Sequence, residues 1–114
     1  MYEHLLDKPV FLPHKGNIYK PVYLRDIIYA KVDGAYIVIK YVNGSTVPFE
    51  LSMSRLQELL PPAFFCRISR NYLVSIRHID FLEKNNHTIT IGKESLPLSE
   101  NFRKEFYARY FLAG

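Results

Sequence analysis

Ile27-Ile28-Tyr29-Ala30-Lys31-Val32 and Ala35-Tyr36-Ile37-Val38-Ile39-Lys40-Tyr41 flank the dipeptide Asp33-Gly34, and the reading of this stretch decides the fold. Both runs are rich in β-branched and aromatic residues, and neither shows helix-length periodicity. Gly34 supplies the positive φ that a tight hairpin requires, so the two runs fold back on each other as antiparallel strands. A second dipeptide of this kind, Asn43-Gly44, follows, and residues 45–49 complete a three-stranded meander.

Upstream, residues 9–13 (PVFLP) and 18–24 (IYKPVYL) read as short strands. Their prolines suit sheet edges, because proline has no N–H to give to a ladder. Downstream, residues 51–60 predict one short helix. Ser54-Arg55-Leu56-Gln57 has the capping-box pattern, Met53, Leu56 and Leu60 recur at helical spacing, and Pro61-Pro62 stops the helix. Four more β-rich runs follow, at 64–67, 72–76, 79–83 and 88–91, broken at Asn85-Asn86 and Gly92-Lys93. They form a second sheet or extend the first.

Ser99 is the expected N-cap of a last helix running from Glu100 to about Phe111, with Glu100 and Lys104 at i, i+4 spacing. Phe102, Phe106 and Tyr110 form one stripe on it, read as a core-facing side with a dimer surface as the alternative. The fold class is therefore mainly β with two short helices and small antiparallel sheets. Residues 1–8 are read as an N-terminal extension and residues 9–112 as the domain, with no receiver or sensor domain attached.

The 114 residues suffice for one small domain with a core and leave no room for a scaffold plus a catalytic unit. Four His, at 4, 14, 78 and 87, show no helical pairing, and the single Cys66 lacks a second Cys, so no metal site is expected. Cys66 reads as a small buried hydrophobe in a reducing, cytoplasmic setting. Asp26, Asp33, Asp80 and Glu83 fall at strand ends or turns, where solvation explains them. Neither a nucleophile elbow nor a glycine-rich phosphate loop is present, so no catalytic residue and no cofactor are expected. The N-terminus lacks a signal-peptide pattern, and the apolar runs are too short to span a bilayer.

The formal net charge of +4 fits a polyanion partner without demanding one. Between Cys66 and Ile79 lie Arg67, Arg70, Arg77 and His78 with no acid, which makes this segment the basic patch of the chain. In Ser69-Arg70-Asn71, ahead of the run beginning at Tyr72, an arginine fork could reach a base edge. Ser99-Glu100-Asn101-Phe102-Arg103-Lys104 sets polar groups and two cations around a helix N-terminus, whose N–H groups suit a phosphate, although Glu100 opposes this. The hairpin Asp33-Gly34-Ala35-Tyr36 is a further exposed projection, on which Tyr36 either contacts a sugar or base or covers a sheet face.

Arg67-Ile68-Ser69-Arg70-Asn71-Tyr72-Leu73-Val74-Ser75 resembles the signature of the LytTR-type DNA-binding domain, with Phe65, Arg67, Arg70, Leu73, Val74 and Ile79 matching its pattern. The flanking stretches agree in order and spacing, from Asp26-Ile27-Ile28-Tyr29 to Leu96-Pro97-Leu98-Ser99. The resemblance implies a bacterial transcription regulator whose loops, and not a recognition helix, enter successive major grooves of double-stranded DNA. Paired direct repeats and bending of the site are implied as well. By the match of motifs, Tyr36, Arg70 and Asn101 fall at base-contacting positions, and Lys31, Arg67, Asn71, Ser99 and Lys104 at phosphate-contacting ones. Three departures stand in the central motif, where Ser69 replaces the usual His, Asn71 a Ser, and Ser75 an Asn. The alternative reading is an interaction module that pairs with another regulator, or with itself as a homodimer, through its aromatic last helix.

Overall fold

The computed structural model describes residues 3–110, arranged around a five-stranded antiparallel sheet. The hairpin consists of β3 (Ile27–Asp33) and β4 (Tyr36–Tyr41), and β5 (Thr46–Phe49) completes the expected meander. On the other side of β3 lies β7 (Tyr72–Ser75), with β6 (Phe65–Arg67) at the edge, giving the order β5-β4-β3-β7-β6. A two-stranded ribbon, β1 (Pro9–Lys15) with β2 (Ile18–Tyr23), and a three-stranded sheet, β8 (Phe81–Glu83), β9 (Thr88–Ile91) and β10 (Glu94–Pro97), make up the rest. The two helices are α1 (Met53–Leu59) and α2 (Glu100–Arg109). Both alternatives for the later strands hold, because β6 and β7 extend the first sheet while β8 to β10 form the second.

The central sheet is covered on both faces. On one side Ile27, Ala30, Ile37, Ile39, Phe49, Phe65 and Leu73 pack with Leu12 and Val22 of the ribbon, Met53 and Leu56 of α1, and Leu6 ahead of β1. On the other, Tyr29, Cys66 and Val74 pack against Ile89, Ile91 and Leu96 of the small sheet and Phe106 of α2. A β-bulge in β3 makes this possible. Ile27 pairs with Tyr41 and Tyr29 with Lys40, so one extra residue sits on β3. Strict alternation would put Ile27 and Tyr29 on the same face; the bulge sends Ile28 and Tyr29 to one core and Ala30 back to the other. That is why this run reads as continuously apolar.

Several expectations are corrected. The N-cap of α1 is Ser52, whose hydroxyl accepts the Arg55 N–H at 3.1 Å, so Ser54 lies inside the helix and the capping box does not form. With the helix starting after Ser52, Met53 and Leu56 both enter the first core. β10 was not anticipated, since four residues that begin with Glu and end with Pro carry little β signal. In α2 the i, i+4 ion pair is Glu105–Arg109 at 3.3 Å. The helix ends at Arg109, and the expected end near Phe111 lies outside the described residues. Cys66 is buried as expected, and burial pushes its thiol pKa up. Among the described residues no helix is long and apolar enough to cross a membrane.

The central sheet and β10 are joined by a polar clasp that the sequence did not suggest. The Tyr29 hydroxyl donates to both Glu94 carboxylate oxygens at 2.7 and 2.9 Å, and Lys40 Nζ donates to Oε2 at 2.8 Å. The Lys40 hydrogen bond, with help from Tyr29, holds the Glu94 carboxyl below its usual range against the opposing effect of burial. A depressed carboxylate pKa stabilises the fold above the unfolded pKa, and this contribution is lost as pH falls through the folded one. We expect Glu94→Gln to be less stable than the native chain at pH 7 in urea denaturation, with a gap that closes as the solution is acidified below the ordinary glutamate range. Solvent at the half-exposed pair keeps the effect modest. A gap independent of pH would show that the carboxylate charge contributes nothing.

Candidate nucleic-acid interface

Three segments carry the residues singled out from the sequence, and two backbone hydrogen bonds set them side by side. The hairpin joining β3 and β4 is tied to the loop between β6 and β7 by the Val32 N–H, which donates to the Asn71 carbonyl at 2.9 Å. That loop is tied in turn to the start of α2 by the Ser99 N–H, which donates to the Ile68 carbonyl at 2.9 Å. Hairpin, central loop and helix entrance therefore form one continuous end of the molecule.

The hairpin turn consists of Gly34 and Ala35, with Asp33 paired to Tyr36. Gly34 has φ +61° and Ala35 is not in the left-handed region, a pattern that fits a type II′ turn. A Cβ added at Gly34 meets nothing within 4 Å, so substitution costs backbone strain alone. Gly34→Ala is expected to lower stability by about 1–2 kcal/mol, with Asn in its place recovering part of the loss, as read from thermal melts. Equal melts for Ala and Gly would show that the turn relaxes. Tyr36 follows the turn and is 46% exposed. Lys31, on the same hairpin, is exposed and pairs with Tyr72 of β7.

The central loop, residues 68–71, is shaped by two side chains. Ser69 is 4% exposed, and its hydroxyl accepts the N–H groups of Asn71 at 3.3 Å and Tyr72 at 3.1 Å. Ser69 thus supplies internal hydrogen bonds of the loop. Arg67 turns onto its own loop, donating from Nε to the Ser69 carbonyl at 3.1 Å and from Nη2 to the Arg70 carbonyl at 2.8 Å. Burial, and secondarily the Arg70 charge, lower its pKa. Arg70 and Asn71 themselves are exposed.

At the helix entrance Ser99 occupies the N-cap position, but its side chain makes no cap hydrogen bond; its carbonyl accepts the Phe102 N–H at 2.9 Å. Arg103 Nε donates to the Leu98 carbonyl at 2.8 Å and closes the turn, a role that the sequence did not signal. Asn101 is exposed, and Lys104, three residues on and also exposed, shares its helix face. Arg70, Asn71, Ser99 and Asn101 line one open groove, and the opposing Glu100 lines it with them. Tyr36, Lys31 and Lys104 stand outside it.

The basic stretch from 66 to 79 does not form one patch. β7 separates Arg67 and Arg70 from Arg77 and His78, which line a different concavity with Lys40 and Lys93. A four-residue strand spans about 13 Å, enough to put its two ends in different surroundings. The aromatic stripe of α2 faces inward, with Phe106 buried in the second core and Phe102 and Tyr110 packed against it.

A small β scaffold that sets the exposed Arg70 guanidinium and the Asn71 and Asn101 amides along one groove, with Lys31 on β3 and Lys104 on α2 outside it, has the chemistry of a polyanion-binding domain in spite of Glu100. The comparisons give that class its family. Residues 18–110 match the family model of the LytTr DNA-binding domain, and the chain belongs to that family. It is similar in fold to a solved LytTr DNA-binding domain from Bacillus cereus, at 20% identity and a TM-score of 0.75, covering 90% of this chain and 95% of that one. No curated protein matches the chain. The mainly β fold with two helices and the family resemblance read from residues 65–79 are both upheld.

Proposed function

We propose that this DNA-binding domain acts as a sequence-specific transcription regulator that inserts the hairpin, the central loop and the entrance of α2 into successive major grooves of double-stranded DNA. The observation that supports this most is the pair of hydrogen bonds, Val32 to Asn71 and Ser99 to Ile68, that fix the three segments in a row. In this reading Arg70, Tyr36 and Asn101 meet base edges. Lys31, Asn71, Ser99 and Lys104 meet phosphates, where they position the duplex without reading it. Paired direct repeats are the expected site, deformability adds to discrimination, and the bacterial cytoplasm is the place of action. The protein performs no chemical reaction and requires no cofactor for this.

The test is selection of bound duplexes from a random pool by the 114-residue chain, with the affinity of the winners followed against salt. Enrichment of a repeated motif is expected, with a log–log salt slope near −0.9 per neutralised phosphate. Weak binding without enrichment, lost at modest salt, would overturn the reading. The alternative of an interaction module working through the aromatic helix has less support, since its stripe is spent on the core.

A further inference from the structure

We propose that Arg67 is a positioning residue that holds Arg70 in its reading posture and couples the central loop to α2, and is not itself a phosphate contact. This inference rests on the reading of duplex DNA by Arg70 and adds to it the device that makes such reading selective.

The two carbonyls that Arg67 engages belong to Ser69 and Arg70, so both peptide units flanking the Arg70 Cα are pinned by one guanidinium. From the opposite side the Ser69 hydroxyl binds the N–H groups of Asn71 and Tyr72. Between them these two side chains leave the loop backbone little freedom, while the Arg70 side chain stays exposed. The remaining nitrogen of Arg67 donates to Gln57 Oε1 of α1 at 3.4 Å. Its guanidinium carbon lies 5.6 Å from the centre of the Phe102 ring, in the first turn of α2. Phe102 follows Asn101 in the first turn of α2, so the same planar group touches both the central loop and the helix turn that carries Asn101. Three of the five Arg67 N–H donors are turned to the loop and to α1, which leaves little of the fork for a phosphate. The partial burial of Arg67 agrees with an inward task. Arginine fits this task and lysine does not, because a lysine ammonium has three donors on one compact centre but no planar fork to grip two carbonyls while stacking on a ring.

The test compares the full chain with Arg67→Lys, Arg67→Gln, Arg70→Ala and the Arg67→Lys/Arg70→Ala double variant, each first confirmed folded by circular dichroism. Three quantities are read: base preference from the random-pool selection, the salt slope, and hydrogen exchange of the Asn71 and Tyr72 amides in the DNA-free protein. Arg67→Lys should lose preference at the base position that Arg70→Ala relaxes, while its salt slope stays native. The double variant should be no less selective than Arg70→Ala alone. Exchange at Asn71 and Tyr72 should quicken about tenfold in Arg67→Lys as the loop loosens.

The proposal is overturned if Arg67→Lys keeps native preference and exchange, while Arg67→Gln weakens all duplexes alike and lowers the salt slope by about 0.9, the behaviour of a phosphate contact. If the native chain enriches no motif, the DNA-reading proposal falls, and with it Arg67's part in selectivity. Faster exchange in Arg67→Lys would even then uphold its hold on the loop, and unchanged exchange would remove that too.

Discussion

Replacing Arg70 by alanine is expected to weaken binding to the selected duplex by about 1–3 kcal/mol and to relax preference at one base position, leaving other positions intact. The reason is geometric as well as electrostatic. A guanidinium presents two parallel N–H donors that match the O6 and N7 acceptors of guanine, and a wrong base leaves them unpaired in a partly dry groove. Arg70 is the exposed arginine on a loop whose backbone is held from both sides, so little ordering entropy is lost when it binds. The salt slope should fall by less than one phosphate equivalent, because the lost contact is to a base. Isothermal titration against the selected duplex and against single-base variants measures both effects. An Arg70→Ala chain that binds every duplex more weakly by the same factor would move Arg70 from reading to anchoring.

Phe49→Ala is expected to destabilise the fold by about 3–5 kcal/mol, without touching any candidate DNA contact. Phe49 is fully buried at the end of β5, in the first core, and packs edge-on against His14 at 5.8 Å between ring centroids. Its removal leaves a cavity lined by a sheet on one side and the ribbon on the other, neither of which can collapse freely. A domain of this size holds roughly 5–15 kcal/mol in total, so the loss is a large share. The midpoint of a thermal melt should drop by about 10–30 °C, with the urea m-value unchanged. A drop of only a few degrees would show that the ribbon closes over the gap. The two variants also control for each other: Arg70→Ala should melt like the native chain, and Phe49→Ala, where still folded, should keep native base preference.

Much of this was legible in the sequence wherever a few adjacent residues decide a conformation. Asp33-Gly34 and Asn43-Gly44 place the two turns of the meander, because the positive φ values there suit glycine and are strained for other residues. The start of α2 at Ser99 and the stop of α1 before Pro61-Pro62 follow from equally local rules. Tyr36, Arg70 and Asn101 are candidates only through the family resemblance, and their segments lie side by side in the structure.

Other features had no local cause. Which core Tyr29 enters depends on a bulge opposite Tyr41 and Lys40, and the bulge exists because both faces of the sheet must be filled. The clasp of Tyr29, Lys40 and Glu94 joins residues up to 65 positions apart. The inward turn of Arg67 is local only in part: the carbonyls it grips lie two and three residues on, but Gln57 of α1 and the Phe102 ring of α2 come within its reach only by packing. The meander turns and the family signature are written in neighbouring residues, so the sequence by itself determined them, while the cap of α1 moved to Ser52. Faces, cross-sheet partners and the contacts of Arg67 with α1 and α2 depend on distant segments meeting, and only the packed tertiary structure decided those.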